Sequence, residues 1–173
     1  MSSTDRAILA RRALLDTLRV ANLLDRRGGA LARREGITSA QWLTLGLLSQ
    51  VGEQGMTPTE LCRQLCVSKQ NMTGMIVRLE KKGLIERQPE PRDRRSFRVA
   101  ATDKGAKMVQ NLEDDGREFF SRQVDMLEEE SLQNMSDSLA RVLEALREEE
   151  RGDRRGSRRN GSHSSRGSQS KAE

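Results

Sequence analysis

A short helix, a tight turn, a longer helix and a two-stranded hairpin follow one another between Thr57 and Ala100, and few folds accommodate that order. Thr57-Pro58-Thr59-Glu60 is a capping box, with proline at the first helical position where its missing amide costs nothing. The helix it opens is brief, Leu61 to Cys66, with Leu61 and Leu65 on one face. After a turn at Val67-Ser68, Ser68 caps a second helix from Lys69 through Met72, Met75, Ile76 and Leu79 to Gly83. Each cap contributes on the order of 1 kcal/mol, enough to fix where a short helix begins. Leu84–Gln88 reads as a strand, the charged stretch 89–95 as a loop, and Ser96–Ala100 as the returning strand, because its residues alternate with period two. This is a helix-turn-helix followed by a wing, and two strands that cannot stand alone must lean on the helices.

The flanking segments are helical too. Ala10, Leu14, Leu18, Ala21 and Leu24 recur at helical spacing between Ala7 and Leu24, with Gly28-Gly29 as a stop or kink and Gly36 as a second stopping point. Thr38-Ser39-Ala40-Gln41 is another capping box, opening a helix through Trp42, Leu45, Leu47 and Leu48 that stops near Val51-Gly52. Thr102 caps a long helix carrying Val109, Leu112, Phe119 and, past Gln123, Met126 and Leu127; Glu128–Ser131 interrupts it. Leu132, Met135, Leu139, Val142 and Leu146 then repeat at three and four, the spacing of a helix–helix seam. The first helix and the last two are too thin for a core of their own and bury their stripes best against a second copy. The fold class expected is therefore mainly α with a small β-wing: a winged helix-turn-helix with a helical dimerisation region from the first and last helices.

Charge divides the chain. The formal net charge is +5 over 173 residues. Residues 57–105 carry 11 basic and 6 acidic side chains, residues 106–150 carry 5 and 13, and residues 151–173 carry 7 and 2. A basic middle and an acidic C-terminal stretch suit a protein that turns one face toward a polyanion. Residues 1–150 are read as the folded domain, with the DNA-binding lobe at about 38–101, and 151–173 as a disordered Arg/Gly/Ser-rich tail without apolar periodicity. That tail is either merely solvated or a cationic arm for DNA phosphates.

Other classes of chemistry lack their residues. The only histidine, His163, falls in the tail, so the folded part has no histidine base or metal ligand, and no phosphate-binding glycine loop appears. No cofactor, metal or catalytic residue is expected. No apolar run approaches the roughly 18 residues of a membrane span, and residues 1–16 hold no signal-peptide apolar region. Localisation is read as cytoplasmic, nucleoid-associated in a bacterium.

DNA binding has its residue types in place. Ser68, Lys69, Gln70, Asn71 and Thr73 occupy the first turn of the longer helix, with groups that reach base edges and phosphates in a major groove. Arg92, Arg94 and Arg95 surround Asp93 at the hairpin tip, where guanidinium groups can enter a narrow minor groove and Asp93 can hold one arginine in a fixed pose. Cys62 and Cys66 stand one helical turn apart, which is poor disulfide geometry, so packing is favoured over a redox switch. Trp42 and Phe119, with Phe120, are candidates for packing or, as the minority reading, for a small-ligand pocket.

These residues resemble the MarR family of bacterial winged-helix regulators. The matching stretches are Gly36-Ile37-Thr38 with Gln41-Trp42, then Thr57–Leu65, then Val67-Ser68-Lys69-Gln70-Asn71-Met72-Thr73-Gly74, then Arg78–Ile85, and Asp93-Arg94-Arg95-Ser96 through Thr102-Asp103-Lys104-Gly105. The resemblance covers about residues 5–148. It implies a triangular homodimer joined through its first and last helices, reading a palindrome with two winged lobes, usually as a repressor controlled by ligand or oxidant. By position it implies DNA contacts at Ser68, Lys69, Gln70, Asn71 and Thr73, and it aligns Asp93 and Arg95 with the family's Asp-x-Arg wing motif. Thr57, Thr59 and Arg78, within the matching stretches, complete the candidate DNA-binding set. Ala101 stands where leucine is more frequent, and Cys62 and Cys66 replace the family's common alanine and glycine. The N-terminal reactive cysteine of its peroxide sensors is absent.

The expected function is a homodimeric, sequence-specific transcriptional regulator, a repressor on double-stranded palindromic DNA released by a small ligand, with a small aromatic molecule as a candidate effector. Two alternatives belong to other classes: an architectural DNA-binding protein without base readout, and a protein-interaction module that uses its acidic last helices without DNA.

Overall fold

A computed structural model of the chain describes residues 2–90 and 96–161. Its elements are α1 (Ser3–Arg34), α2 (Ser39–Val51), a 3-10 turn at Gly52–Gln54, α3 (Pro58–Leu65), α4 (Lys69–Lys81), β1 (Ile85–Pro89), β2 (Phe97–Ala101), α5 (Asp103–Val124) and α6 (Glu129–Gly161). They divide into two compact units, Met1–Arg122 and Gln123–Glu173.

Helix starts are set locally. Thr38 accepts the Gln41 amide while Gln41 returns its side chain to the Thr38 amide, and Thr57 and Glu60 repeat the exchange. Ser68 accepts the Asn71 amide at 3.2 Å. Thr102 accepts the Gly105 amide at 3.2 Å and donates its own proton to the Gly83 carbonyl at 2.7 Å, fastening the start of α5 to the end of α4.

Within the first unit the core is a single cluster. Leu45 and Leu48 of α2, Leu61 of α3, Met72, Ile76 and Leu79 of α4, and Val99 of β2 are almost wholly removed from water. On α4 the buried positions 72, 75, 76 and 79 repeat at three and four residues, so one stripe faces this core and the rest of the helix faces out.

Several expectations are corrected. Helix α1 runs straight through Gly28-Gly29 to Arg34 and ends at Gly36, whose φ is +70°. Both internal glycines are buried: a Cβ on Gly28 would meet the Phe119 ring of α5 at 3.7 Å, and one on Gly29 would lie 3.2 Å from the Arg33 guanidinium and 3.9 Å from the Ser39 hydroxyl. Packing on both residues carries the helix through them despite a propensity cost of about 1 kcal/mol per glycine. The hairpin sits one residue later than expected, pairing Ile85 with Ala101 and Pro89 with Phe97. Pro89, assigned to the loop by sequence, is the last residue of its strand, where a missing donor is tolerated.

The hairpin also has a third partner that periodicity could not reveal. Met56 and Val99 exchange both backbone hydrogen bonds at 2.8 Å, supporting β2 on its second edge. This approach needs Gly55, with φ +56°, since a Cβ there would fall 2.4 Å from the Val99 carbonyl oxygen.

In the second unit, α6 continues through Gly161, so regular structure does not stop at the expected boundary at residue 150. Extending an existing helix needs no new nucleus, and the arginines there are good helix formers. The rest of the expected tail, 162–173 with His163, lies outside the described residues.

Candidate nucleic-acid interface

The outward face of α4 follows from its buried one. With Met72, Met75, Ile76 and Leu79 committed to the core, Lys69, Gln70, Asn71, Thr73, Val77 and Arg78 are left exposed. Four of these polar side chains fall within the first turn and a half. There the free amides of the helix N-terminus add partial positive charge.

The candidate contacts differ in what they have left to offer. Ser68 uses an oxygen lone pair as cap but keeps its proton for a partner. The Thr73 hydroxyl donates to the Lys69 carbonyl at 2.8 Å, leaving acceptor capacity only. Thr57, half-buried, receives the Glu60 amide at 3.2 Å and donates to the Glu60 carboxylate at 2.9 Å, so its hydroxyl is engaged within the box. Thr59 is exposed on the first turn of α3. Arg92, Asp93, Arg94 and Arg95 lie outside the described residues.

Charge alone misleads about the wing. Arg98 is not a free cation: its Nε donates to the Gln54 carbonyl at 2.6 Å and its Nη2 to the Gly55 carbonyl at 2.8 Å. Its Nη1 pairs with Glu90 at 2.9 Å, and Glu60 lies 3.7 Å from Nη2. This guanidinium thereby ties the wing strand to the turn before α3 and to α3 itself. Arg87 likewise pairs with Glu80 at 3.0 Å and lies over the Phe97 ring at 4.6 Å. Among the described residues, the arginines of the two strands are thus engaged within the fold, while Lys69, Arg78 and Lys81 of α4 stay exposed. Alternation marks these arginines only as outward or inward residues; their partners come from segments distant in sequence.

Glu60 belongs to the same junction. The Thr57 amide hydrogen bond, helped by the Thr57 hydroxyl and by Arg98 and Arg63, holds its carboxyl below the usual range, against the opposing effect of burial.

Three of the four aromatic residues, Trp42, Phe119 and Phe120, gather together. Trp42 stacks on Phe120 at 6.2 Å between centroids, and Phe119 meets Phe120 edge-on at 5.1 Å. Trp42 and Phe119 pack against the core, whereas Phe120 is 49% exposed. Gly116, where a Cβ would fall 2.6 Å from the indole, lets the tryptophan approach α5 closely.

Neither Cys62 nor Cys66 is in a disulfide. Cys62 packs against the core, and burial pushes its thiol pKa up. Cys66 is exposed, contrary to the packing expected of it, and its φ of +53° makes it the left-handed cap that ends α3. Among the described residues no group of three or more His, Cys, Asp or Glu side chains is arranged to hold a metal ion, and no helix is long and apolar enough to cross a membrane.

Comparison with known proteins agrees with this geometry. The sequence model of the MarR family matches residues 35–96. A transcriptional activatory protein of Rhodopseudomonas palustris, BadR, is 41% identical over 56% of this chain, and the match spans only 56% of that protein's own length. A Mycobacterium tuberculosis protein is 32% identical over 80% of this chain and 94% of its own length. Among solved structures, a variant of Escherichia coli MarR in complex with operator DNA superposes with a TM-score of 0.67 at 26% identity, covering 83% of this chain and 99% of that one.

Proposed function

The chain belongs to the MarR family of winged-helix transcriptional regulators, and from that premise we propose that it acts as a homodimer binding a palindromic operator through α4 and the wing. The observation that carries this reading is the division of α4 into a wholly buried apolar stripe and an exposed face bearing Lys69, Gln70, Asn71, Thr73 and Arg78. Such a helix has groups for base edges and phosphates and a rigid support behind them. Arg92, Arg94 and Arg95 serve the wing tip, with Asp93 positioning one of them, and Thr57 and Thr59 flank the groove from α3. The operator complex of the Escherichia coli relative supports this assignment.

Dimerisation explains two apolar stripes left open in the single chain. On α1, Leu14 is 53% exposed and Leu18 59%; on α6, Leu139 is 43% exposed and Leu146 53%. A second copy covers both. The two recognition helices must then match successive major grooves, about 34 Å apart in B-DNA, so a ligand that prefers another separation releases the operator. A small aromatic acid beside Trp42 and Phe119 is the effector class this reading favours, and the cytoplasm is the compartment.

Repression is the regulatory sign proposed; activation is the second reading, favoured by the description of the 41% identical relative. Electrophoretic mobility shift with DNA from upstream of the chain's own gene tests the binding claim. Preference for an inverted repeat over random duplex is expected, and equal affinity for both leaves only the architectural role. In vitro transcription from the bound promoter decides the sign, and a thermal-shift screen of aromatic acids seeks the effector, since a native-state ligand raises stability.

A further inference from the structure

We propose that Val77 is a specificity-determining residue that packs against a thymine 5-methyl group in each operator half-site. The inference rests on the reading of α4 as the recognition helix. Among the described residues, Val77 is the one large apolar side chain of α4 that is exposed, at 49%. It lies three, four and seven positions after Gly74, Thr73 and Gln70, on the face that carries the polar candidates rather than on the core stripe.

Its neighbours leave it open and mark the occupant. Gly74, one turn earlier, has no side chain to screen it. The Arg78 guanidinium, whose Nη1 would lie 3.2 Å from a Cβ built at Gly74, folds back along the helix toward that glycine. Glu80, three residues on, is drawn to Arg87 on β1 at 3.0 Å, which neutralises the one acidic group nearby. An apolar spot flanked by Arg78 and Lys81 matches a duplex major groove, where the thymine methyl is the apolar feature among phosphates and polar base edges. A protein partner with an apolar anchor would place its hydrophobic residue between two cations, which is the poorer match.

The test replaces thymine by deoxyuridine, which removes only the methyl group. The probe is the duplex enriched from a random-sequence pool by the full chain. Substituting one symmetry-related thymine pair is expected to weaken the wild type about fourfold for each methyl lost. Val77→Ala should be insensitive at that pair while remaining sensitive at any other, and Val77→Thr, which keeps a branched methyl, should retain the response. Circular dichroism confirms that both variants fold. A Val77→Ala profile identical to wild type, or a wild type indifferent to uracil at every thymine, overturns the proposal while the regulator reading stands. Failure of the pool to yield any enriched sequence overturns both.

Discussion

Arg98 pairs with Glu90 at 2.9 Å, both side chains half-buried or more, and the same guanidinium also donates to the backbone carbonyls of residues 54 and 55. One cation of the wing strand therefore supports the fold instead of the interface. Arg98→Ala leaves an acidic side chain and two carbonyls without this partner, and is expected to lower stability by about 1–3 kcal/mol. Urea unfolding measures this. Unlike Lys69→Ala, the variant's loss of DNA affinity should shrink at low temperature, where the folded population recovers.

Glu60 gives the acid side of the stability profile. Its folded pKa lies below that of the unfolded chain, so its contribution is fully present above the unfolded value and disappears as pH falls through the folded one. Glu60→Gln should cost on the order of 1 kcal/mol at neutral pH and flatten the decline in melting temperature below pH 5. An unchanged acid limb in the variant counts against this assignment.

Two glycines in helices respond oppositely to alanine. At Gly105 a Cβ would fall 2.1 Å from the Leu84 carbonyl oxygen, a backbone atom with little room to yield, whereas at Gly28 it would make an ordinary 3.7 Å contact with Phe119. Gly105→Ala should destabilise by roughly 1–3 kcal/mol and Gly28→Ala should stabilise by about 0.5–1 kcal/mol. Thermal melts of the two variants side by side check the sign.

The cysteines should differ in reactivity and in tolerance to change. Exposed Cys66 should alkylate before Cys62, whose thiol is pushed up by burial, as read by mass spectrometry of a timed iodoacetamide reaction. Because Cys66 occupies a left-handed conformation, Cys66→Gly is expected to raise stability by about 1 kcal/mol.

Charge near the C-terminus separates into two parts. Residues 151–161 hold five arginines and one aspartate, while residues 162–173 hold two basic and one acidic side chain. Truncation after residue 161 should barely change affinity for random duplex, and truncation after residue 150 should reduce it together with the salt slope. Filter binding across a salt series distinguishes them.

Much of the architecture was legible because its signals are short-range. Thr38 with Gln41, Thr57 with Glu60 and Ser68 with Asn71 each act over three residues, and the structure places each cap where it was read. The stripe at Met72, Met75, Ile76 and Leu79 needed only helical spacing, and it orients the whole recognition face. Gly28-Gly29 is ambiguous in sequence because a glycine pair looks the same whether it breaks a helix or is carried within one by packing. Phe119, ninety-one residues after Gly28, settles which.

By itself, then, the sequence determined the order of the elements, their starting points and the polar face of α4, since propensity, capping and periodicity are decided within a turn or two of chain. Only the tertiary structure decided which cations are available. Arg98 is engaged by carbonyls 44 and 43 residues away, and Lys82 is held by the Gly36 carbonyl 46 residues away. Such pairings arise after the core has brought distant segments together, and a charge count taken along the chain weighs paired and unpaired arginines alike.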